Sequence, residues 1–302
     1  MNRFALLSRP SAREGQGARA SARSEPALTG NWATFLGLAG SRSLRNPAEC
    51  WPHPRKLDIP SAVRLAIVSD VHGNLLALEA VMQDIARQGV DQILCGGDVA
   101  LKGSRPAESV DLLHARCAAF VKGNTDAYLT FDLPLRNYGN PQHWKFRLHR
   151  WTSAQLGPER LEKMKQYAFS HRISGAGKGD LLLVHANPKD MEAALDPAAP
   201  DGVLREMVGA CDARVLAFGH LHVPYQKELG GLLLVDVASV GNPRDGDPRP
   251  AYGLFTLGAK GWKVELRRVD YPLMQAASDF RKQGVPGASR LARKLVEARF
   301  GR

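Results

Sequence analysis

The chain has 302 residues and is 44% hydrophobic, enough for one large or two ordinary globular domains with a sizeable core. Its net charge of +11 suggests nucleic-acid binding, but residues 1–56 hold nine Arg or Lys against three Glu, so +6 of the excess lies in this short segment. The most apolar stretch near the start, Asn31–Gly40, is too short to span a bilayer, and we predict no transmembrane helix.

Residues 1–60 are rich in Ser, Arg, Ala, Gly and Pro without helical or strand periodicity, and are predicted to be a disordered basic extension. A transit peptide or a misassigned start codon would give the same pattern. A secretory signal is disfavoured because Arg9 and Arg13 follow the apolar Phe4–Leu7 too soon. The four cysteines are widely scattered without a CxxC pair, which favours a reducing compartment, most simply the cytoplasm.

From Arg64 onwards, apolar runs alternate with amphipathic segments in a βαβ-like succession. The predicted elements are a strand at Leu65–Ser69, a helix at Leu75–Gln88, a strand at Ile93–Cys95, a helix at Pro106–Ala115, a strand at Ala119–Lys122 and a mostly helical segment over 140–167.

The second half reads as a series of strands that is more antiparallel in character. The predicted strands are Leu181–His185, Val215–Gly219, Leu232–Ala238, Tyr252–Leu257 and Trp262–Arg268. Residues 272–300 follow as two amphipathic helices broken at Gly284–Gly287. The pattern favours one two-sheet α/β domain over residues 61–302.

Five of the predicted strands end in a carboxylate, amide or imidazole. These side chains are Asp70, His72, Asp98, Asn124, His185, His220 and His222. The carboxyl ends of strands are where functional groups gather in open α/β sheets, and an extended backbone would project Asp70 and His72 to the same side. Together these groups form the ligand set of divalent borderline cations.

Each of these residues has an ordinary structural explanation when taken alone. His185 could be a hydrogen-bonded core histidine, Asp98 a helix cap, and His220 with His222 a solvated turn. Five strand ends that all carry ligand-type side chains are poorly explained by coincidence, and a metal site is the better hypothesis.

The stretches DVHGN, GGDV, GNTD, VHAN and GHLH resemble the motifs of the calcineurin-like metallophosphoesterase family, in its small bacterial branch. They follow the family's order and spacing from about residue 64 to the C-terminus, and Ser239–Tyr252 also resembles that branch. Residues 1–60 lie outside the resemblance. It implies an α/β fold, a four-layer α/β/β/α sandwich, with metals at the carboxyl edge of the central sheets.

The resemblance also implies two divalent ions and a phosphoester substrate. One ion would be held by Asp70, His72, Asp98 and His222, and the other by Asp98, Asn124, His185 and His220. Two cations about 3.5–4 Å apart need a shared anion, and the carboxylate of Asp98 would bridge them. A bridging hydroxide would then attack phosphorus in line. Mixed Asp, Asn and His ligation suits Mn²⁺ first, with Fe, Zn²⁺ or Ni²⁺ as alternatives.

One departure from the family concerns the residue after Asn124, which in many members is a His that assists the leaving group and here is Thr125. Relatives without this His act on diesters, so a phosphodiesterase is slightly favoured over a phosphomonoesterase. Asp98, Asn124 and Asp126 are the predicted catalytic residues, with Asp126 orienting a group of the metal site or capping a helix from Ala127.

Two residues are predicted to contact substrate. Arg244 suits bidentate phosphate binding, although a surface Arg is the commoner role, and Asn74 could equally cap the next helix. The rival hypotheses are an interaction scaffold of the same fold, disfavoured because all seven proposed ligands are present, and a nucleic-acid-processing enzyme that uses the basic N-terminal arm. Substrate identity and oligomeric state are not predicted.

Overall fold

A computed structural model of the chain describes residues 56–57, 63–131 and 140–299. Strands and helices alternate in its first half, as the apolar runs predict. The elements there are β1 (Lys56–Leu57), β2 (Val63–Val68), α1 (Leu75–Ala86), β3 (Gln92–Cys95), α2 (Pro106–Arg116), β4 (Ala119–Phe120) and α3 (Asn124–Phe131). Asn74 caps α1 by accepting a hydrogen bond from the amide of Ala77, and Pro106 starts α2 where its missing N–H costs nothing.

In the described residues of the second half, the remaining seven strands and four more helices follow. They are α4 (Trp144–Lys165), β5 (His171–Ile173), β6 (Leu181–Leu183), α5 (Asp201–Val208), β7 (Val215–Phe218), β8 (Tyr225–Leu229), β9 (Leu232–Asp236), β10 (Ala251–Gly258), β11 (Gly261–Arg268), α6 (Leu273–Lys282) and α7 (Ala288–Glu297). Helix α4 breaks at Gly157, whose φ is 68° and which precedes Pro158.

The strands form two mixed sheets. The β2 sheet has the order β11-β10-β2-β3-β4, in which β2, β3 and β4 are parallel and β10 is antiparallel to both of its neighbours. The β7 sheet has the order β1-β5-β6-β7-β9-β8, with β6, β7 and β9 parallel at its centre. The carboxyl ends of the parallel strands of each sheet therefore lie along one edge of that sheet.

The two sheets pack face to face, because alternate residues of each strand enter different apolar clusters. Leu65 and Ile67 of β2 join Leu183 and Ala217 in the core between the sheets. On the outer face of the β2 sheet, a second cluster takes in helices α1, α2, α4, α6 and α7, and on the outer face of the β7 sheet Leu204 of α5 packs into a third. The layers run helix, sheet, sheet, helix, and the predicted four-layer α/β/β/α sandwich is confirmed.

The second half is more antiparallel than the first, as predicted, with antiparallel pairs β5–β6, β8–β9 and β10–β11, although β6, β7 and β9 run parallel to one another. The sequence interpretation missed β5, β8 and helix α5. The boundary predicted at residue 60 remains a prediction: Lys56–Leu57 pair in parallel with Arg172–Ile173, and the rest of the predicted extension lies outside the described residues. Over residues 63–131 and 140–299, none of the helices combines the length and the apolar character needed to cross a membrane.

Candidate metal centre

The predicted ligands come from the carboxyl ends of strands in both sheets. Asp70 and His72 follow β2, Asp98 follows β3, and Asn124 is the first residue of α3 after β4. From the other sheet, His185 follows β6, and the pair at 220 and 222 follows β7. The two sheet edges meet here, which places residues up to 152 positions apart in sequence in contact.

One side of the cluster is formed by two imidazoles and a carboxylate. Nε2 of His72 lies 3.3 Å from Nε2 of His222, and the latter lies 2.9 Å from Oδ1 of Asp70. All three side chains are buried, and their ligand atoms lie within 4.8 Å of one another. The group has the size of a coordination site for a single cation.

The other side combines Asp70, Asp98 and His185, whose ligand atoms also lie within 4.8 Å of one another. His220 adjoins this side, with its Nδ1 3.2 Å from Nε2 of His185. Asp98 lies between the two sides: Oδ2 is 3.7 Å from Nε2 of His72, and Oδ1 is 3.6 Å from Nε2 of His185. Its carboxylate is therefore placed to direct one oxygen to each side of the cluster.

Backbone carbonyls fix the orientation of all four imidazoles. His72, His185 and His222 each donate from Nδ1, to the carbonyls of Leu101, Gly96 and Asn242, while Nε2 of His220 donates to the carbonyl of Glu192, all at 2.5–2.8 Å. Because a carbonyl oxygen only accepts, the ring nitrogen that faces it carries the hydrogen. The opposite nitrogen of each neutral ring then directs a lone pair into the cluster.

This arrangement fits divalent cations. When the rings are neutral, two pairs of ring lone pairs face each other at 3.3 and 3.2 Å, which is repulsive unless a cation lies there. Among the described residues, Oδ1 of Asp70 and Oδ1 of Asn124 are buried without a hydrogen-bond partner, although such groups are normally satisfied. A carboxylate oxygen, an amide oxygen and imidazole nitrogens form a donor set that borderline cations accept.

The pKa values favour the ligand forms of His72, His220 and Asp70. Burial lowers the pKa of His72 well below its usual value and lowers that of His220 to about 4, so both rings are neutral near pH 7. Burial opposes ionisation of Asp70, but the imidazole of His222 and its neighbours lower the pKa of this carboxyl. The pKa of His185 is raised, because the carboxylates of Asp98 and Asp70 outweigh its burial.

The backbone at the ligands is left-handed rather than extended. Positive φ angles of 48–67° occur at Asp70, His72, Asp98, His220 and His222. The expectation that an extended chain projects Asp70 and His72 to one side was therefore wrong, since tight turns bring them together. Such angles are unfavourable for non-glycine residues and tend to persist at functional sites.

Two glycines allow the turns to approach each other closely. A Cβ atom at Gly123 would lie 2.1 Å from Oδ1 of Asp98, and one at Gly219 would lie 2.2 Å from Oδ2 of Asp70. Any side chain at either position would displace a ligand carboxylate. The glycines of the GNTD and FGHLH stretches are therefore explained by the space available to them.

Asp126 is fully buried and supports the loop that carries Asp98. Its Oδ2 accepts from the amides of Asp98 at 2.8 Å and Gly123 at 3.0 Å, and its Oδ1 accepts from the amide of Val99 at 3.0 Å. Burial and the neighbouring Asp98 raise its pKa to about 7. The alternative that Asp126 caps a helix from Ala127 was wrong, because α3 already begins at Asn124.

Asn74 and Arg244, the two predicted substrate contacts, line one cavity of about 410 Å³ beside the metal ligands. Asn74 also caps α1, and its Nδ2 donates to the carbonyl of Gly241 at 3.2 Å. Arg244 donates from Nη1 to the carbonyls of Lys294 and Arg299 at 3.4 and 3.3 Å. His72, Asn124 and Thr125 line the same cavity.

The sequence interpretation missed Glu192. Its carboxylate accepts hydrogen bonds from Nδ2 of Asn124 at 3.0 Å and from the hydroxyl of Tyr128, and its backbone carbonyl receives Nε2 of His220. By taking the amide NH₂ of Asn124, it turns Oδ1 of that residue away from the carboxylate. Glu192 lies in an irregular loop that follows VHAN, where no spacing rule identifies it.

Comparison with known proteins agrees with this geometry. The sequence profile of the calcineurin-like phosphoesterase superfamily domain matches residues 63–260. An uncharacterized protein of Methanocaldococcus jannaschii is 30% identical over 239 residues, which cover 74% of this chain and 93% of that protein. The crystal structure of a metallophosphoesterase from Sphaerobacter thermophilus is 28% identical with a TM-score of 0.64, and the match covers 78% of this chain and 99% of that one. A hypothetical protein of Pyrococcus horikoshii OT3, 16% identical, shares the fold with a TM-score of 0.67, over 79% of this chain and all of its own.

Proposed function

The chain belongs to the calcineurin-like phosphoesterase superfamily and is a metal-dependent phosphoesterase, and from that premise we propose a dinuclear enzyme that prefers phosphodiesters. The observation that carries the dinuclear proposal is the meeting of four oriented imidazoles with two buried carboxylates. Their facing lone pairs and unpartnered oxygens are best satisfied by cations on both sides of Asp98.

The two ions are assigned as the motifs of the family imply. The first would be held by Asp70, His72, Asp98 and His222, and the second by Asp98, Asn124, His185 and His220. Support for Asp98 as the shared ligand comes from its two oxygens, which face imidazoles on opposite sides at 3.7 and 3.6 Å. Asn124 contributes its free Oδ1, since its amide NH₂ is already taken by Glu192.

Divalent ions at this centre would supply Lewis-acid stabilisation of the phosphoryl oxygens and would lower the pKa of water toward about 7. The residues of the chain do the positioning. Asp126 holds the turn of Asp98 through three backbone amides, and the carbonyl contacts keep each imidazole lone pair directed inward. Arg244 and Asn74, on the cavity wall, would contact a phosphoryl oxygen of the substrate.

The preference for diesters rests on Thr125. Its side chain is buried, its amide donates to Oδ1 of Asp98 at 2.9 Å, and it offers no titratable group where many relatives place an imidazole. Relatives that lack this His act on diesters, and the same replacement supports that preference here. Mn²⁺ is the proposed native metal because of the mixed oxygen and nitrogen donors, with Fe, Zn²⁺ and Ni²⁺ as alternatives.

The test is a metal-reconstituted assay with p-nitrophenyl phosphate and bis(p-nitrophenyl) phosphate. We expect two Mn²⁺ per chain by elemental analysis, hydrolysis that EDTA abolishes, and a higher kcat/KM for the diester. Asp98→Asn is expected to lose the activity, because it replaces the shared anion with a neutral amide. One metal per chain would refute the dinuclear assignment, and a strict monoesterase profile would reverse the diester preference.

A further inference from the structure

The cavity beside the metal centre carries an excess of positive charge. Of the described residues that line it, four are cationic, namely Lys102, Lys145, Arg244 and Lys294, and none is Asp or Glu. A volume of about 410 Å³ is in the range of small-molecule sites. The cavity therefore attracts an anion larger than a single phosphoryl group.

Three of these cations lack acidic partners within the cavity. Over residues 63–131 and 140–299, Lys102, Arg244 and Lys294 make no ion pair with Asp or Glu, and Arg244 is held only by two backbone carbonyls. The carboxylates that act on Lys102 are Asp98, Asp70 and Glu192. The first two are assigned to the metals, and the third accepts from Asn124.

The pKa values of Lys102 and Lys294 reflect the crowding of positive charge in the cavity. Burial lowers the pKa of Lys102, with Arg244 adding repulsion. Burial also lowers the pKa of Lys294, with further repulsion from Arg244 and Lys102. Like charges gathered in one half-buried cavity destabilise the free protein, and an anionic ligand would remove that cost.

The position of Lys102 connects this charge to the metal centre. The carbonyl of Leu101, the residue before it, receives Nδ1 of His72 at 2.8 Å. Lys102 itself has a φ of 83°, an unfavourable angle for a residue with a side chain. The turn that orients a metal ligand thus also places an ammonium group on the cavity wall, one residue away.

Part of the wall is apolar. Trp144 and Leu148 of α4, Phe280 of α6, and Leu291 and Leu295 of α7 line the cavity together with the polar residues. Lys294 lies between the two leucines on α7, so the helix presents an ammonium group and an apolar surface together. This combination suits a ligand with both anionic and apolar or aromatic parts.

We infer that the cavity binds a second phosphate of the substrate, so that the enzyme prefers organic polyphosphates to esters with a single phosphate. The reacting phosphate would lie at the metals, the second against Lys102, Arg244 and Lys294, and an apolar or aromatic group along Trp144 and the leucines. The inference rests on the proposed function, because that function places the reacting phosphate. A diester with one phosphate carries one negative charge, which the metals oppose, and leaves these three cations without a counter-ion.

The experiment compares two competitive inhibitors that differ by one phosphate. With the p-nitrophenyl ester of TMP as reporter and Mn²⁺ in excess, inhibition constants are measured for TMP and for α,β-methylene-TDP, which resists hydrolysis between its phosphates. Each charge-assisted contact contributes enough that the diphosphate should inhibit the wild type about tenfold more strongly or better. In Lys102→Gln, Lys294→Gln and the double variant, that ratio should fall stepwise to about twofold or less.

Lys260→Gln is the matched control, because Lys260 is exposed on the turn between β10 and β11, and its ratio should equal that of the wild type. Equal inhibition by TMP and the diphosphate, or a ratio that survives the double substitution, would overturn the inference while leaving the phosphoesterase proposal intact. Stronger inhibition by a thymidine tetranucleotide than by the diphosphate, weakened by the same substitutions, would assign the cavity to nucleic acid and also overturn it. If the reporter is not hydrolysed at all, the proposed function fails, and calorimetric titration of the diphosphate into the Mn²⁺-loaded protein decides the subsite separately.

Discussion

Removing the carboxylate of Glu192 should weaken one metal site and spare the other. The side chain accepts from Nδ2 of Asn124 at 3.0 Å and so fixes which end of that amide faces the proposed second ion. In Glu192→Ala the amide can rotate, and its NH₂ group can occupy the position of Oδ1. Partners that orient a metal ligand typically contribute about 10- to 100-fold to metal affinity, equivalent to about 1.4–2.7 kcal/mol.

The first ion should be unaffected, because its proposed ligands make no contact with the Glu192 carboxylate among the described residues. The backbone carbonyl of Glu192 remains in the variant, so the hydrogen bond from Nε2 of His220 is retained. Glu192→Gln keeps one acceptor oxygen for Asn124 and should lose less affinity than Glu192→Ala. Since the residue is exposed, unfolding of the metal-free variant should stay within about 0.5 kcal/mol of the wild type.

Calorimetric titration of Mn²⁺ into the metal-free protein measures the two sites separately. Glu162→Ala is the control, because Glu162 is an exposed glutamate that, among the described residues, pairs only with Lys165 on α4. The reasoning would be refuted if both Mn²⁺ affinities survived Glu192→Ala, or if both fell equally. Full recovery in Glu192→Gln alongside a loss in Glu192→Ala would support a positioning role.

Three further predictions address the glycine contacts, the core between the sheets and the acid stability. Gly219→Ala places a Cβ atom 2.2 Å from Oδ2 of Asp70 and should lower the affinity for Mn²⁺ at least about tenfold. Gly202→Ala is the control, because no atom lies within 4 Å of the added Cβ, and its affinity should not change. Equal Mn²⁺ titrations of the two variants would contradict the close approach at Gly219. Phe255→Ala, in the core between the sheets, should cost about 3–5 kcal/mol in urea unfolding, against less than about 0.5 kcal/mol for the exposed Met274→Ala. Burial opposes ionisation of Asp84, but hydrogen bonds from Tyr252 and Arg267 lower its pKa below 3.8. The ionised carboxylate therefore stabilises the fold above pH 3.8, and this stabilisation is lost as the pH falls through the pKa of the folded state. The difference in unfolding free energy between wild type and Asp84→Asn should shrink over the same range, and a constant difference would exclude the linkage.

The sequence pattern was sufficient for the fold class and for the location of the cluster of candidate metal ligands. Apolar runs that end in Asp70, Asp98 or His185 predict strand ends, and parallel strands bring their ends to one edge. Short strands with little apolar content were not predicted: β8 reads YQKEL with alternate residues exposed, and β5 has three residues. Their pairing comes from neighbouring strands rather than from local propensity.

Within the site, the contacts that sequence reasoning could not supply are those made by the backbone. The carbonyls of Leu101, Gly96 and Asn242 orient three imidazoles, and any residue type offers a carbonyl. The cationic cavity was missed for a related reason. Amphipathic periodicity predicts that α7 is a helix, but which residue of its polar face meets Arg244 depends on how the helix packs.

The proposed metal pair would connect the two halves of the sandwich, since Asp70, His72, Asp98 and Asn124 come from one sheet and the other three ligands from its partner. Ion binding and the spacing of the two sheets are then thermodynamically linked. Ions at the site would stabilise the native spacing, and any interaction that stabilises this spacing would also raise the affinity for the ions. Amide protons at the ends of β2 and β7 should accordingly exchange more slowly after Mn²⁺ is added, while those of the distant β10–β11 turn should not respond. The proposed metal centre would thus also hold the two sheets together at this edge.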